Sequence, residues 1–202
     1  MAYNTNTRLL LNFGGSSSTP PDTSEFGRAI TYGGDCSFSA ASGPFGDRSM
    51  VFGQTATDGR IQIDDWTTLW SQSGVSRTID FWLYLDADGP SYQYPCVFHF
   101  DNGNNWQFTV DKDSGTLMVG CFIVTNQDPF EFDNPTVSAQ INGGSITGAW
   151  HHIRARISGD TLTVGVDGLQ VGTASSLSSA DILNPTQQGY DGSIGALLSW
   201  PD

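Results

Sequence analysis

The sequence predicts an all-β protein, a two-sheet antiparallel sandwich, on three observations. Apolar residues alternate with period two over most of the 202 residues, and no window sustains a helical period over three turns. Of the 21 acidic residues all but Glu25 and Glu131 are Asp, and Lys112 is the single lysine. Asp suits turns and strand ends, because its short carboxylate bonds nearby backbone, whereas Glu and Lys favour helices. Tight-turn dipeptides, Asn102-Gly103, Gly159-Asp160 and Asp167-Gly168, stand between alternating runs, as antiparallel hairpins require.

The elements follow in order. Residues 78–85 form the clearest strand, with Ile79, Phe81, Leu83 and Leu85 on one face and Thr78, Asp80, Trp82 and Tyr84 on the other. Residues 95–100 and 105–110 flank the Asn-Gly turn as a hairpin. After Asp113-Ser114-Gly115, residues 117–124 are apolar on both faces, which predicts a strand placed centrally in its sheet. Residues 125–147 read as loop around one short strand near 137–141. From Trp150 to Ile157 the chain alternates again, with Ile153, Ala155 and Ile157 opposite His152, Arg154 and Arg156. Two tight turns carry it through residues 161–166 and 169–172, a three-stranded meander. Short helical turns are expected at 64–72 and 178–183 only. The whole, 1–202, reads as one domain, with 1–7 a flexible N-terminal arm.

Composition narrows the partners. A net charge of −13 without a Lys/Arg cluster repels phosphate backbones and anionic lipid surfaces, so neither nucleic acid nor membrane is expected. Cys36, Cys96 and Cys121 are too few and too widely spaced for a disulfide framework. Cys96 and Cys121, in apolar strand runs, are expected as buried thiols, and a pairing of Cys36 with either stays open. Met1 to Arg8 lacks the apolar core of a signal peptide, which points to synthesis in a cytoplasm.

Several segments resemble the laminin-G-like group within the concanavalin A-like lectin/glucanase superfamily. The opening apolar run Leu9-Leu10-Leu11-Asn12-Phe13 is similar to the family's first strand. Phe45-Gly46-Asp47-Arg48-Ser49-Met50-Val51-Phe52 resembles its Phe-Gly-x-x-Ser-x-x-Phe pattern, and Gly59-Arg60-Ile61-Gln62-Ile63 its short exposed strand. Phe81-Trp82, Gly148-Ala149-Trp150-His151-His152, Val166-Asp167-Gly168 and Ser193-Ile194-Gly195 follow in the family's order. The resemblance implies a jelly-roll sandwich. The family usually adds a closing strand beside the first, whereas this sequence ends at Trp200-Pro201-Asp202. An open edge at Leu9, Leu10, Leu11, Asn12 and Phe13 is therefore expected to serve as an assembly contact.

The resemblance includes glucanases, whose chemistry needs paired carboxyl groups about 5–5.5 Å apart in retaining enzymes. Glu25 and Glu131 are isolated, and Asp80 and Asp86 lie six strand residues apart, roughly 20 Å. His151 and His152, adjacent on a strand, point to opposite faces and do not grip one metal together. No enzyme is expected. Relatives often bind calcium at the sandwich rim, which makes Asp111, Asp113, Asp128, Glu131 and Asp133 candidate ligands; the competing reading is that these carboxylates cap turns. For sugars, Trp106 beside Asn102, Asn104 and Asn105, together with Tyr92 and Tyr94, offers aromatic faces and amides; the competing reading is sheet core. Trp82, Trp106 and Trp150 are expected in the core, and Trp66, Trp70 and Trp200 at the surface.

The functional expectation is a non-enzymatic phage virion protein, a capsid decoration or tail appendage on the virion surface, touching other virion proteins or copies of itself. The alternative is a carbohydrate-binding, lectin-like module of a surface or secreted protein. Glycans are the shared candidate ligand.

Overall fold

The computed structural model describes residues 7, 9–13, 19–39, 43–45, 48–52, 60–63, 76–86, 92–99, 105–111, 115–122, 137–140, 146–174 and 192–194. These are strands and connections. The strands are β1 (Ile30–Gly33), β2 (Cys36–Ser39), β3 (Ser49–Phe52), β4 (Arg60–Ile63), β5 (Arg77–Tyr84), β6 (Tyr92–His99), β7 (Asn105–Asp111), β8 (Thr116–Phe122), β9 (Val137–Gln140), β10 (Trp150–Ser158), β11 (Thr161–Val166), β12 (Leu169–Ala174) and β13 (Gly192–Ile194). The helical turns expected at 64–72 and 178–183 lie outside the described residues.

A seven-stranded sheet in the order β1-β4-β13-β6-β7-β8-β9 faces a four-stranded sheet in the order β12-β11-β10-β5, and β2 and β3 form a separate pair. Every ladder is antiparallel. Strand β8, apolar on both faces in sequence and expected at the centre of its sheet, lies one strand in from the end, between β7 and β9. The segment 192–194 is inserted between β4 and β6, far from its sequence neighbours. The strand at 60–63, expected to be exposed, lies between β1 and β13, and Ile61 and Ile63 are fully buried. Its two isoleucines are the only large apolar groups of β4, and burying them outweighs keeping the strand at an edge.

The core lies between the two large sheets. Ile61, Ile63, Phe108, Val110 and Leu117 come from one sheet, and Ile153, Ala155, Ile157, Leu162, Val164 and Val166 from the other. Phe81 and Phe108 meet across the gap edge to face, with ring centroids 5.2 Å apart. Each large side chain so buried contributes roughly 1.5–3 kcal/mol.

Turn chemistry sets the meander. Asp167 and Gly168 both have positive φ, 51° and 81°, as a type I′ hairpin demands. The Asp167 carboxylate also braces this corner: Oδ1 accepts the His152 N–H at 2.8 Å and Oδ2 lies 2.8 Å from His151 Nδ1. Gly159, at φ 60°, opens the other two-residue turn.

Residues 9–13 do not form a ladder strand. Leu11 makes a single bridge to Asp22, while Leu9, Leu11 and Phe13 pack against the core. The reason is Asp22, whose buried carboxylate gathers this part of the chain. It accepts the N–H groups of Leu10 at 2.9 Å, Ser24 at 2.9 Å and Arg28 at 3.0 Å, and the Ser24 hydroxyl at 2.9 Å. Burial alone raises this carboxyl, but the donors of Arg28, Leu10 and Ser24 outweigh it and hold it below its ordinary value. Nearby, the Tyr32 hydroxyl donates to the Pro20 carbonyl at 2.5 Å. Burial, then the Cys36 thiolate, push that phenol up to about 12.

Replacing Asp22 strands three backbone donors, so Asp22→Ala should lower stability at neutral pH by about 3 kcal/mol in urea denaturation. Because the folded pKa is depressed, the contribution is complete above the unfolded value of about 4 and fades as pH falls through the folded value. The gap between wild type and variant should therefore narrow as pH falls below about 4.

Candidate functional site

Alternation assigns the two faces of the four-stranded sheet. In β5 and β10 the inward positions, Ile79, Phe81, Leu83, Ile153, Ala155 and Ile157, fill the core, so the intervening residues face outward. The register then sets them in rows: Tyr84 opposite Trp150, Trp82 opposite His152, Asp80 opposite Arg154, and Thr78 opposite Arg156. Strand β11 extends two rows, placing Gly165 beside Arg154 and Thr163 beside Arg156. At the aromatic end Gly148, with φ 77°, donates to the Leu85 carbonyl at 3.0 Å and anchors the register.

Trp82 and Trp150 are thus not core residues, contrary to expectation. Trp82 is 42% exposed and Tyr84 is exposed beside it, while Trp150 is half-buried. The core lies against one face of the sheet, and Ile79, Phe81, Leu83, Ile153, Ala155 and Ile157 occupy it. Phe45, carried by the connection between β2 and β3, is 75% exposed and meets the Trp82 ring edge-on at 5.3 Å. On its other flank Trp82 contacts His152 at 5.1 Å, and Tyr84 contacts Trp150 at 5.6 Å. Two adjacent rows thus carry the ring groups Phe45–Trp82–His152 and Tyr84–Trp150 on the outward face, with Phe45, Trp82 and Tyr84 exposed.

Beside these rings stands a polar knot. Asp80 Oδ1 is bonded to His152 Nε2, and its Oδ2 accepts Arg154 Nε at 2.9 Å and Nη2 at 2.6 Å. Arg154 remains 57% exposed in its side chain, so this pair is partly solvated and worth little to stability. What it does is fix a carboxylate, a guanidinium and an imidazole in place next to Trp82. His151, one residue earlier, is buried and points the other way, onto Asp167. The two histidines do not share a site, as their adjacency implied.

The residues expected to bind sugar fall differently. Tyr92 pairs with Asp111 at one end of the β6–β7 hairpin, and Trp106 with Phe98 and Asn105 with His99 at the other. Tyr92 and Trp106 are thereby about 20 Å apart along the strands. Tyr94 is on β6 beside a register shift, and Asn102 and Asn104 lie outside the described residues. Of the candidate calcium ligands, Asp111 ends β7, and Asp113, Asp128, Glu131 and Asp133 lie outside the described residues, as do Trp66, Trp70 and Trp200.

Comparison with known proteins places this geometry. The family model described as the concanavalin A-like lectin/glucanases superfamily matches residues 55–196, more than half of the chain. No curated protein matches. Among solved structures, a mutant of HCR/D is similar at TM-score 0.62 and 9% identity, covering 93% of this chain and 43% of its own. Botulinum neurotoxin type C, which depends upon interaction with two ganglioside molecules to enter cells, is similar at TM-score 0.58 and 12% identity, covering 95% and 49%. The enzymatically active domain of tailspike protein 2 of bacteriophage CBA120 is similar at TM-score 0.52 and 11% identity, covering 92% and 27%. The chain spans less than half the length of each, and at these identities the likeness is one of fold.

If the polar knot is a surface feature, a double-mutant cycle on Asp80→Ala and Arg154→Ala should give a coupling of about 0.5–1 kcal/mol, shrinking with salt. A coupling of several kcal/mol in chemical denaturation would show instead that the knot supports the fold.

Proposed function

The chain belongs to the concanavalin A-like lectin/glucanases superfamily, and from that premise we propose that it is a non-enzymatic glycan-binding protein whose ligand lies on the outward face of β5 and β10. The observation that carries this reading is the outward ring groups of Trp82, Tyr84, Phe45 and Trp150 beside Asp80, His152 and Arg154. Sugar rings present flat C–H faces that pack on aromatic rings, and hydroxyls that seek carboxylate, guanidinium and imidazole partners. Both kinds of group are already positioned, Trp82 between Phe45 and His152, and Asp80 between His152 and Arg154. Little side-chain freedom is then lost when a ligand arrives.

Binding rather than hydrolysis is supported by the carboxylate inventory of the face. Among the described residues Asp80 is the one carboxylate within the strands of this sheet, its two oxygens engaged by the imidazole and the guanidinium, and Asp167, in the β11–β12 turn, is engaged by His151 and the His152 N–H. A glycosidase of the two-carboxyl type needs a second one within about 5–9.5 Å. Asp80 serves here as a fixed acceptor.

The tailspike likeness supports a setting for this activity, an attachment or structural part on a phage virion, where a glycan-binding face would meet the host surface. A lectin-like module of a surface protein is the other setting, and it uses the same face. Residues 9–13, which lie against the core outside the ladders and are tied to Asp22 through Leu10, are a proposed assembly contact in the first setting only.

On a glycan array the protein should select a defined set of oligosaccharides. Trp82→Ala should weaken them at least tenfold, about 1.4 kcal/mol, while thermal melting stays within a few degrees of wild type. The bound glycans should be recovered intact after long incubation. Unchanged affinity in Trp82→Ala removes this face as the site, and shortened or unsaturated products would make the protein an enzyme.

A further inference from the structure

The cations of this acidic chain are few, eight in all against 21 acidic residues, and their places differ. Arg28 is buried near Asp22, with Nη1 3.9 Å from Oδ2. Arg48 lies over the Phe38 ring at 4.8 Å, and Arg77 is half-buried. Arg154 is forked onto Asp80. The side chains of Arg8, Arg60 and Lys112 lie outside the described residues, and Arg156 differs from the neighbouring Arg154. It is exposed on the outward face of β10, and among the described residues no carboxylate lies within ion-pair distance of it. In a molecule of charge −13 an open guanidinium beside no acid is a marked departure, because the surrounding field favours pairing.

Its surroundings point to a ligand of one kind. Thr78 of β5 and Thr163 of β11 are its direct cross-strand neighbours, and Thr173 of β12 continues the same row opposite Thr163. Directly opposed residues have Cβ atoms about 4.5–5.5 Å apart, so a threonine stands on each side of the base of the Arg156 side chain. The row lies four strand residues from Trp82, about 13 Å along β5. Gly165, in the row between, adds no side chain to the surface. The Trp82–His152 row, the Asp80–Arg154 row with bare Gly165 at its side, and the Thr78–Arg156–Thr163 row therefore follow one another over a span long enough for an oligosaccharide.

Resting on the glycan-binding reading, we propose that the ligand is an acidic oligosaccharide, with one ring on Trp82 and a carboxylate group on Arg156. The planar fork of arginine matches a carboxylate with two parallel N–H···O bonds, and the threonine hydroxyls complete the hydrogen bonding of the same sugar. Arg154 does not fill this role, because Asp80 occupies its fork. Arg156 is the specificity residue, and Trp82 the general anchor.

The test compares wild type, Arg156→Gln and Trp82→Ala on a glycan array, followed by titration of sialyl- and uronate-bearing oligosaccharides, each beside its carboxyl-reduced form. The bound set should be carboxylated. Reduction of the carboxyl group and Arg156→Gln should each weaken binding about tenfold or more, and not additively, since they remove two halves of one contact. Binding should also weaken as salt rises. Which oligosaccharide responds distinguishes sialic from uronic sources of the carboxylate. Wild type and Arg156→Gln binding the same neutral glycans equally would overturn this inference and leave the glycan-binding reading standing. Binding of no glycan at all would overturn both. Arg156 is exposed, so unchanged melting of Arg156→Gln confirms that the comparison is made on a folded protein.

Discussion

A β-strand gives its side chains alternately to two faces, so the antiparallel register of β5 on β10, with Asp80 opposite Arg154, settles the chemistry of the whole four-stranded sheet. A slip of β5 by one residue along β10 would send Trp82 and Asp80 into the core and turn Phe81 and Ile79 out to water. The core prevents that slip. Ile153, Ala155, Ile157, Leu162, Val164 and Val166 lie on one side of the sheet, and each large member contributes roughly 1.5–3 kcal/mol. The exposed Asp80–Arg154 pair is worth at most about 1 kcal/mol. Burial thus determines the register, and the outward rows follow as its consequence. A face that stability does not need is free to carry aromatic and charged groups.

Two local devices hold the sheet to its neighbours. Asp167, in the left-handed conformation of a type I′ turn, ties the start of β10 to the β11–β12 corner through the His152 N–H and His151. Asp22 does the same for the N-terminal segment, collecting donors from Leu10, Ser24 and Arg28. Both use a short carboxylate to satisfy backbone where no ladder does. This explains in structure why the chain is rich in Asp and nearly lacks Glu: the longer side chain reaches past its own turn.

Much of this was legible in the residues. Alternation gave β5, β7, β8, β10 and β11 nearly to their ends, and it placed Thr78, Asp80, Trp82 and Tyr84 on one face and His152, Arg154 and Arg156 on another. It did not reveal that the two faces are one. Asp80 and His152 are 72 residues apart, and no local signal encodes which distant strand lies beside which. The size of tryptophan also misleads, since a large apolar ring suggests burial, yet Trp82 and Trp150 occupy positions opposite the smaller side chains that fill the core. Tyr92 and Tyr94 belong to β6, which begins ahead of the alternating run at 95–100, and antiparallel pairing puts Tyr92 at the opposite end of the hairpin from Trp106. Strands β1, β2 and β13 are three or four residues long, too short for a period to show, and are defined by their partners.

The central claim is that the outward face of β5 and β10 is where a ligand is held. Backbone and indole amide chemical-shift mapping during titration with a bound oligosaccharide tests it most directly. The account predicts that the largest shifts fall on residues 78–84 and 150–156, with the Trp82 indole N–H among them. Shifts centred on Tyr92, Tyr94 and residues 102–106, with the β5–β10 face unmoved, would contradict it.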